Sequence, residues 1–327
     1  RGRQVGADET REVEGMTTAV LSTLIRPLVE PRLPDWVEPL WFMSKEEAIE
    51  LAPRAEIGWF DFNQPEPMCE VVTAATNLKW LNSIYAGLDF LPLDLLNARG
   101  TIVTNGAGIN AVTMAEYIVM MMLVHAKRYR DVVHAQDRHE WLLDSPGKRE
   151  LNGERVLLFG LGAIGSLVKP RLEAFGMEVV PVRRSDKDGA LGPDEWRGQL
   201  AHFDWIILVL PSTPETHHMI GSDELAAMKT TAVLANFARG DVVDQAALVE
   251  ALDAKSIEAA LLDVTDPEPL PHDHPLWSLD NAHITMHLSA RAQTGMFQRS
   301  ADRFIENLHK WHAGEPVAPQ MDLALGY

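Results

Sequence analysis

The sequence predicts an α/β protein built on parallel β-sheets, and three observations support this fold class. Short apolar runs alternate with helical patterns along most of the chain, as expected where helices cross between parallel strands. The 327 residues are 46% hydrophobic and 23% charged, which suits about two globular domains. A glycine-rich turn joins one apolar run to a helical pattern near the middle of the chain.

The first third of the chain shows the strand-and-helix alternation. Strands are predicted over residues 17–24, 57–60, 78–84 and 102–105, and the last two lead into glycine turns. Ser44 followed by Glu47 forms a capping box, which predicts a helix over residues 44–51. Residues 111–130 read as one long helix. Its apolar run, residues 117–124, is too short to span a bilayer.

The central glycine turn carries the first functional signal. An apolar strand over residues 155–159 runs into G-x-G-x-x-G, and a helical pattern follows. In that context the motif is the dinucleotide-binding fingerprint. Gly160 would permit a tight turn, Gly162 would let the backbone approach a pyrophosphate, and Gly165 would let the helix pack close to the strand. With Ala163 and Ile164, these residues are expected to contact a cofactor at a helix N-terminus; a plain structural turn is the alternative.

Five more apolar runs follow the fingerprint, over residues 178–182, 205–210, 231–236, 259–264 and 282–286. With residues 155–159 they predict a six-stranded, doubly wound sheet in a dinucleotide-binding domain over residues 109–291. Residues 294–327 read as a helix and a tail that return to the first domain. Residues 1–108 and 292–327 would then form a split substrate-binding domain. Pro170 would remove one hydrogen bond from the helix after the fingerprint and kink it.

The second strand of this domain bears on the choice of cofactor. An NAD site usually places an acidic side chain there for the ribose 2′-hydroxyl, but this chain has Arg183, Arg184 and Ser185. Two guanidinium groups and a hydroxyl suit a 2′-phosphate, which favours NADP(H). NAD(H) stays possible, because the arginines could be solvated and Asp186 or Asp188 could supply the acid.

Three later strand ends carry the residues of a reductive chemistry. Arg239, Glu268 and His287 each follow an apolar run, and ligands bind at the carboxyl ends of strands in such sheets. Reduction of a carbonyl by a nicotinamide needs a cation to hold a substrate carboxylate and an acid to protonate the oxygen. A histidine with a carboxylate neighbour suits the second task.

These motifs resemble the D-2-hydroxyacid dehydrogenase family from about residue 78 to the tail. N-x-x-R-G is met at residues 236–240, D-V-x-x-P-E-P-L at residues 263–270, and a histidine after the last strand at His287. The resemblance implies two Rossmann-like domains, with a doubly wound cofactor domain inserted in a split, flavodoxin-like substrate domain. It also implies that Arg239 binds carboxylate and carbonyl, that Glu268 pairs with the histidine, and that His287 is the general acid/base.

Further roles are implied only by the resemblance. The backbone of Tyr85, Ala86 and Gly87 would hold the substrate carboxylate, and Asp263 would contact the nicotinamide carboxamide. Other cofactor contacts are expected at Leu210, Pro211, Thr216, Phe237, Ala238, His287 and Ala290. The chain departs from the family at Met286, where a proline is usual, and at residues 288–290, which replace a common glycine pair.

Composition excludes several other functions. The net charge of −18 argues against nucleic acid or anionic membrane as a partner. The single cysteine, Cys69, allows no intramolecular disulfide, and residues 1–15 lack the apolar core of a signal peptide, so a cytoplasmic location is expected. His283 and His287 could share a strand face, but a third ligand is lacking, so no metal is expected.

The sequence therefore predicts an NAD(P)-dependent reductase of small 2-ketoacids, with NADP(H) preferred and the substrate bound between two domains. Glyoxylate and hydroxypyruvate are first guesses. A same-fold dehydrogenase of another small anion is one alternative, and a nucleotide-sensing, corepressor-like interaction protein is another. A homodimer is expected from the family and from the apolar residues 117–124. Trp141 could reach into a partner's site or could simply be packed.

Overall fold

A computed structural model describes residues 15–62, 66–88, 90–183, 189–291 and 295–323. The chain divides into two compact units. Unit 1 comprises residues 1–106 and 297–327, and unit 2 comprises residues 107–296. Each unit is built around one parallel sheet, the first with five strands and the second with six. The α/β class with two parallel sheets is therefore confirmed.

Unit 1 has the strand order β2-β1-β3-β4-β5, which is the flavodoxin-like order. Ser44 begins the second helix by accepting a hydrogen bond from the backbone of Glu47, as the capping box predicts. The fourth helix ends at Gly100, whose φ of 68° lies in the left-handed region that glycine adopts without strain. The elements are β1 (Thr17–Ser22), α1 (Arg26–Val29), β2 (Val37–Phe42), α2 (Lys45–Leu51), β3 (Ile57–Trp59), α3 (Glu66–Ala74), β4 (Trp80–Asn82), α4 (Leu93–Arg99) and β5 (Ile102–Thr104).

Unit 2 has the strand order β11-β10-β9-β8-β6-β7. Strand β7 lies on one side of β6, and β8 and the later strands lie on the other. The carboxyl end of β6 is therefore the topological switch point, where such sheets bind ligands. The elements are α5 (Ala111–Ala126), α6 (Tyr129–Asp137), β6 (Arg155–Phe159), α7 (Gly165–Ala174), β7 (Glu178–Val182), β8 (Trp205–Leu208), α8 (Ser222–Ala227), β9 (Val233–Asn236), α9 (Gln245–Asp253), β10 (Ala259–Leu262) and β11 (Ala282–Ile284). The last helix of the chain is α10 (Gly295–His312).

The core of unit 1 is aromatic where α10 packs on the sheet. Phe304 of α10 lies 4.9 Å from the ring of Trp59 and 5.4 Å from the ring of Trp80. All three side chains are buried. Burial of aromatic rings of this size contributes several kcal/mol, so the C-terminal helix is part of the core of unit 1.

The sheet of unit 2 is buried on both faces. Leu157, Ile206 and Leu234 belong to one apolar cluster, whereas Val156 and Ile207 belong to another. Parallel strands covered by helices on both faces are expected to be apolar throughout rather than alternating. Their continuous apolar runs explain why the sequence revealed all six strands.

The structure differs from the sequence prediction in one helix and one strand. The helix predicted over residues 111–130 is instead two helices, α5 and α6, which separate at Arg128 with a φ of 47°. The strand β2 was not predicted, because it contains Glu38 and Pro39; it lies at the edge of its sheet, where proline is tolerated. Helix α7 includes Pro170 within its length, and the kink expected there stays a prediction.

Among the residues that the structure describes, no helix combines the length and the apolar character needed to cross a bilayer.

Candidate active site

The glycine loop after β6 is shaped by close backbone contacts. A Cβ on Gly160 would lie 2.6 Å from the carbonyl oxygen of Val209, and one on Gly165 would lie 2.0 Å from the carbonyl oxygen of Gly160. Gly160 also has a φ of 96°. By contrast, no heavy atom lies within 4 Å of the Cβ position of Gly162. The chain itself therefore requires glycine at the first and third positions, and it leaves open space at the second.

That open space lies at the start of α7. Gly162 and Ala163 are exposed. Ile164, the residue that precedes the helix, has no side-chain group that could accept a hydrogen bond from the first N–H groups of α7. An uncapped helix start offers backbone N–H groups and a positive dipole end, both of which favour a phosphate. The loop thus has the open space and the backbone donors that a pyrophosphate site requires, and its contact with a cofactor stays a prediction.

The other expected cofactor residues are only partly described. Arg183 follows β7, is half-buried, and donates its backbone N–H to the carbonyl of Leu191. Arg184, Ser185, Asp186 and Asp188 lie outside the described residues. After β8, the hydroxyl of Thr216 donates to the carbonyl of Pro211 and so closes the turn that follows Leu210. Phe237 and Ala238 are buried, whereas Ala290 is half-buried.

The turn that carries Arg239 is fixed by Asn236 at the end of β9. The amide of Asn236 donates to the carbonyl of Arg239 at 2.9 Å and accepts from the backbone N–H of Ala238 at 3.0 Å. A Cβ on Gly240 would lie 2.1 Å from the carbonyl oxygen of Thr265. The spacing N-x-x-R-G thus has a local cause: the asparagine closes the turn, and the glycine lets it pass the segment after β10.

Asp263 follows β10 and is 2% exposed. Its carboxylate accepts hydrogen bonds from the hydroxyl groups of Thr285 and Ser289 and from the backbone N–H groups of Leu288 and Ser289. Its carbonyl also accepts from the backbone N–H of His287 at 2.6 Å. Asp263 is thus an anchor for residues 285–289, and its expected contact with a nicotinamide carboxamide stays a prediction.

The anchored segment has an unusual backbone. Met286 and His287 both have a φ of 55°, in the left-handed region that non-glycine residues rarely adopt. Met286 is 62% exposed and Leu288 is 45% exposed, on either side of the histidine. The hydrogen bonds to Asp263 hold this segment in a conformation that it would not adopt alone.

Glu268 and His287 form an ion pair at this end of the sheet. The Oε2 atom of Glu268 lies 2.8 Å from the Nδ1 atom of His287. The hydrogen bond that His287 donates to Glu268 raises the pKa of His287 above its ordinary value, against the effect of burial. Burial is the strongest influence on Glu268 and opposes ionisation, yet the hydrogen bond with His287 keeps the pKa of Glu268 below its ordinary value. Since Nδ1 faces the carboxylate, Nε2 is the nitrogen available to a substrate.

Arg239 belongs to the same constellation. Its positive charge helps to lower the pKa of Glu268 and opposes, without cancelling, the rise in the pKa of His287. The guanidinium thus lies within electrostatic range of both side chains. The structure therefore brings together the three residues that the sequence singled out at three separate strand ends.

His283 is separated from this constellation by its own partners. Its Nε2 atom lies 3.4 Å from Nδ1 of His125, and its Nδ1 atom lies 3.3 Å from the guanidinium of Arg130. The Nε2 atom of His125 lies 3.0 Å from Glu258. Burial, together with the charges of His125 and Arg130, lowers the pKa of His283 to about 4. His283 and His287 thus have different partners.

In unit 1, the segment with Tyr85, Ala86 and Gly87 follows β4. Its backbone is tied to residues 105–106, because Gly106 donates to the carbonyl of Tyr85 at 2.7 Å and Asn105 donates to the carbonyl of Ala86 at 2.9 Å. Ala86 is exposed. Asp61, a buried carboxylate that contacts this segment, was not predicted from the sequence. Its signal there is weak, because it is simply an acidic residue directly after an apolar strand.

Comparison with known proteins identifies the family. Residues 119–289 match the family model described as D-isomer specific 2-hydroxyacid dehydrogenase, NAD binding domain. The chain belongs to this family. The resemblance seen in the sequence is therefore confirmed, and with it a nicotinamide dinucleotide as the class of cofactor.

Two curated members of the D-isomer specific 2-hydroxyacid dehydrogenase family illustrate the range of relatives. A D-3-phosphoglycerate dehydrogenase of Methanocaldococcus jannaschii is 33% identical over 286 residues, which cover 85% of this chain and 54% of that protein. A glyoxylate reductase of Korarchaeum cryptofilum is 33% identical over 255 residues, 75% of this chain and 76% of that protein. The chain thus spans about half the length of the first relative and about three quarters of the second.

Solved structures of family members have the same fold. A D-isomer specific 2-hydroxyacid dehydrogenase family protein of Aeromonas salmonicida has a TM-score of 0.85 at 29% identity and covers 94% of this chain and 99% of its own. An NADPH-dependent glyoxylate/hydroxypyruvate reductase of Sinorhizobium meliloti, solved with NADP and malonate, has a TM-score of 0.76 at 25% identity, with 95% and 98% covered.

Proposed function

We propose that the protein is an NADPH-preferring reductase of small 2-ketoacids that forms D-2-hydroxyacids. The observation that carries the proposal is the pairing of Glu268 with His287 at 2.8 Å, within electrostatic range of Arg239. A carboxylate-bound imidazole is an acid for a developing alkoxide, and a guanidinium is a partner for a carboxylate. Both functions are needed to reduce a 2-ketoacid.

Arg239 would hold the substrate through its carboxylate and polarise the adjacent carbonyl. The guanidinium has a fixed direction, because its Nη1 donates to the carbonyl of Ala238 at 2.9 Å and the turn behind it is closed by Asn236. The remaining N–H groups form a planar fork that suits a carboxylate. The resemblance to the family also assigns carboxylate binding to the backbone of Tyr85, Ala86 and Gly87 in unit 1.

His287 would give the proton. Glu268 fixes the proton of Nδ1 and keeps the imidazolium stable to a higher pH, so Nε2 carries the proton that passes to the substrate oxygen. A reduced nicotinamide, when bound, would supply the hydride to carbon 2. With the proton from His287, the carbonyl would become a hydroxyl, and His287 would be left neutral until it takes up a proton from water.

The preference for NADPH rests on Arg183, Arg184 and Ser185, which follow the second strand of unit 2 where an acidic residue is usual for NAD. The Sinorhizobium meliloti relative solved with NADP is NADPH-dependent by its description, which supports the same preference. Glyoxylate and hydroxypyruvate, the substrates in that description, are the first candidates for this chain.

The test is a spectrophotometric panel. Purified protein is mixed with NADPH or NADH and with 2-ketoacids from glyoxylate to longer branched ones, and nicotinamide absorbance is followed. Turnover with a ketoacid, faster with NADPH, supports the proposal, and His287→Ala should abolish turnover while NADPH binding persists. A strong preference for NADH contradicts the cofactor assignment. Binding of NADPH without turnover on any ketoacid or other small anion favours a nucleotide-sensing role instead.

A homodimer is part of the proposal. Met120 of α5, Tyr129 of α6 and Phe175 after α7 are 43%, 55% and 41% exposed, and all three border one groove on unit 2. Exposed apolar groups in one patch favour association. Light scattering after size exclusion tests the point, and a mass near 36.4 kDa, that of one chain, contradicts it.

A further inference from the structure

We propose that Asp61 is the positioning residue for the segment that captures the substrate carboxylate in unit 1. This inference rests on the proposed function, since it assigns a task to Asp61 in ketoacid binding. It goes further than the family roles because it explains how the segment of residues 83–87 keeps one conformation.

Three donors converge on the carboxylate of Asp61. The indole N–H of Trp59 donates to Oδ2 at 2.6 Å, the hydroxyl of Ser83 donates to Oδ1 at 2.6 Å, and the backbone N–H of Ile84 donates to Oδ2 at 2.7 Å. Asp61 is 6% exposed. Trp59 belongs to β3 and to the aromatic core, so the carboxylate links that core to the segment after β4.

The contacts extend along the segment. The Oγ atom of Ser83, held by Asp61, accepts from the backbone N–H of Tyr85 at 3.1 Å. The hydroxyl of Tyr85 donates to the carbonyl of Phe62, the residue after Asp61. The N–H of Ile84 is therefore bound by Asp61 and that of Tyr85 by Ser83, so the N–H groups of Ala86 and Gly87 are the ones assigned to the substrate carboxylate.

The opposite side of the segment is equally constrained. Gly106 donates to the carbonyl of Tyr85 at 2.7 Å, and a Cβ on Gly106 would lie 1.8 Å from the carbonyl oxygen of Ile84. Asn105 holds the carbonyl of Ala86. With one side closed by backbone contacts, the hydrogen bonds to Asp61 decide whether the outward N–H groups stay in place.

The choice of a carboxylate at position 61 also indicates a function. All three of its donors are neutral, and an amide side chain could fill the same space at a lower desolvation cost. Burial raises the pKa of Asp61 to about 6, while the hydrogen bonds from Ser83, Ile84 and Trp59 act in the opposite direction. Among charged groups on the packed elements, Arg303 of α10 donates to the carbonyl of Asn105, and Arg299 lies one turn earlier; Tyr85 is the other titratable neighbour.

Protonation of Asp61 turns one acceptor oxygen into a donor and so breaks at least one of the three contacts. Because burial raises the pKa of Asp61 to about 6, the carboxylate form and its contacts predominate above that pH, are half lost at it, and disappear as the pH falls further. Ketoacid binding should weaken over the same range, whereas NADPH binding in unit 2 should not.

The experiment compares Asp61→Asn, Ser83→Ala and a control, Thr101→Val, in the full chain. Thr101 is buried in the same unit and its hydroxyl donates to the carbonyl of Leu78, so the control also loses one buried hydrogen bond. We expect KM for the ketoacid to rise about tenfold in the first two variants, with kcat changed less and the NADPH Kd unchanged. The control should keep the wild-type KM.

The pH profile separates positioning from simple stability. In the wild type, KM should rise below pH 6, and in Asp61→Asn this rise should be absent. A wild-type KM in Asp61→Asn, or a KM that rises below pH 6 as steeply as in the wild type, overturns the inference. Absence of ketoacid turnover in the wild type itself overturns the proposed function, and the two failures are thereby distinguished.

A spectroscopic readout covers the case in which Asp61→Asn does not fold. In wild-type protein labelled with 15N-tryptophan, the indole N–H resonance of Trp59, assigned through Trp59→Phe, should titrate with a midpoint near pH 6. A resonance that does not move between pH 5 and 7 overturns the assignment of a titrating carboxylate at this position.

Discussion

Substitution of alanine for single glycines in the loop after β6 separates its role in folding from its role in binding. In Gly165→Ala, the new Cβ would lie 2.0 Å from a backbone oxygen, whereas ordinary contacts begin near 3.4 Å. The loop and α7 must therefore separate by about 1.4 Å. Overpacking of this kind costs about 1–3 kcal/mol, and each kcal/mol lowers Tm by about 2–4 °C in a unit of this size.

Gly162→Ala should behave in the opposite way. Its Cβ meets no heavy atom within 4 Å, and its φ lies outside the left-handed region. Alanine at such a position leaves stability unchanged or raises it by about 0.4–1 kcal/mol, because the unfolded chain loses freedom. If a pyrophosphate lies against this backbone, however, the same methyl group occupies its place, and NADPH affinity should fall at least about tenfold, or about 1.4 kcal/mol.

Two assays on these two variants distinguish an effect on stability from an effect on cofactor binding. Thermal unfolding without cofactor measures the cost in the chain itself, and titration calorimetry with NADPH measures binding. In the unfolding assay, Gly162→Ala is the control, because its methyl group has open space. In the binding assay, Gly165→Ala is the control, because it shows how much affinity is lost when the loop is merely distorted. An NADPH Kd in Gly162→Ala equal to that of the wild type would refute the placement of the phosphates at this loop.

Three further predictions concern the ends of the later strands of unit 2 and the stability of the fold. In Glu268→Gln, the pKa of His287 should fall, so the decline of kcat/KM for ketoacid reduction at high pH should move to lower pH; an unmoved profile contradicts the role of the pair. Gly240→Ala places a Cβ 2.1 Å from the carbonyl oxygen of Thr265 and should lower kcat/KM at least about tenfold together with Tm, as steady-state kinetics and thermal unfolding would show. His283 has a pKa of about 4 in the folded chain, so it binds a proton more readily when the chain is unfolded. The free energy of unfolding, measured in urea, should therefore fall by about 3 kcal/mol as the pH falls from 6.5 to 4. His283→Gln should reduce that loss, whereas His272→Gln, at an exposed position, should not.

The sequence predicted those parts of the fold and the site that depend on local geometry. The fingerprint glycines are recognisable because a turn, a close approach and an open face follow from three residues in one loop. The turn that carries Arg239 was recognisable because Asn236 and Gly240 shape it within five residues. The apolar strands of unit 2 were found because a sheet buried on both faces needs continuous apolar runs.

Features that depend on distant contacts were not predictable in the same way. Two of the three hydrogen bonds that distinguish Asp61 from a surface aspartate come from Ser83 and Ile84, more than twenty residues away. The break after α5 depends on a left-handed backbone at Arg128. Nothing in the arginine side chain predicts that conformation from the sequence. The anchoring role of Asp263 likewise becomes visible only once residues 285–289 lie against it.

Met286 stands where the resemblance to the family implies a proline, and its φ of 55° gives that difference a consequence. The ring of proline confines φ to about −65°, so the backbone path that brings His287 to Glu268 in this chain is closed to proline. Met286→Pro would therefore force a new path on the segment while Asp263 still binds the backbone of residues 288 and 289. The residue before the histidine and the path of the backbone thus depend on each other, and neither can change alone.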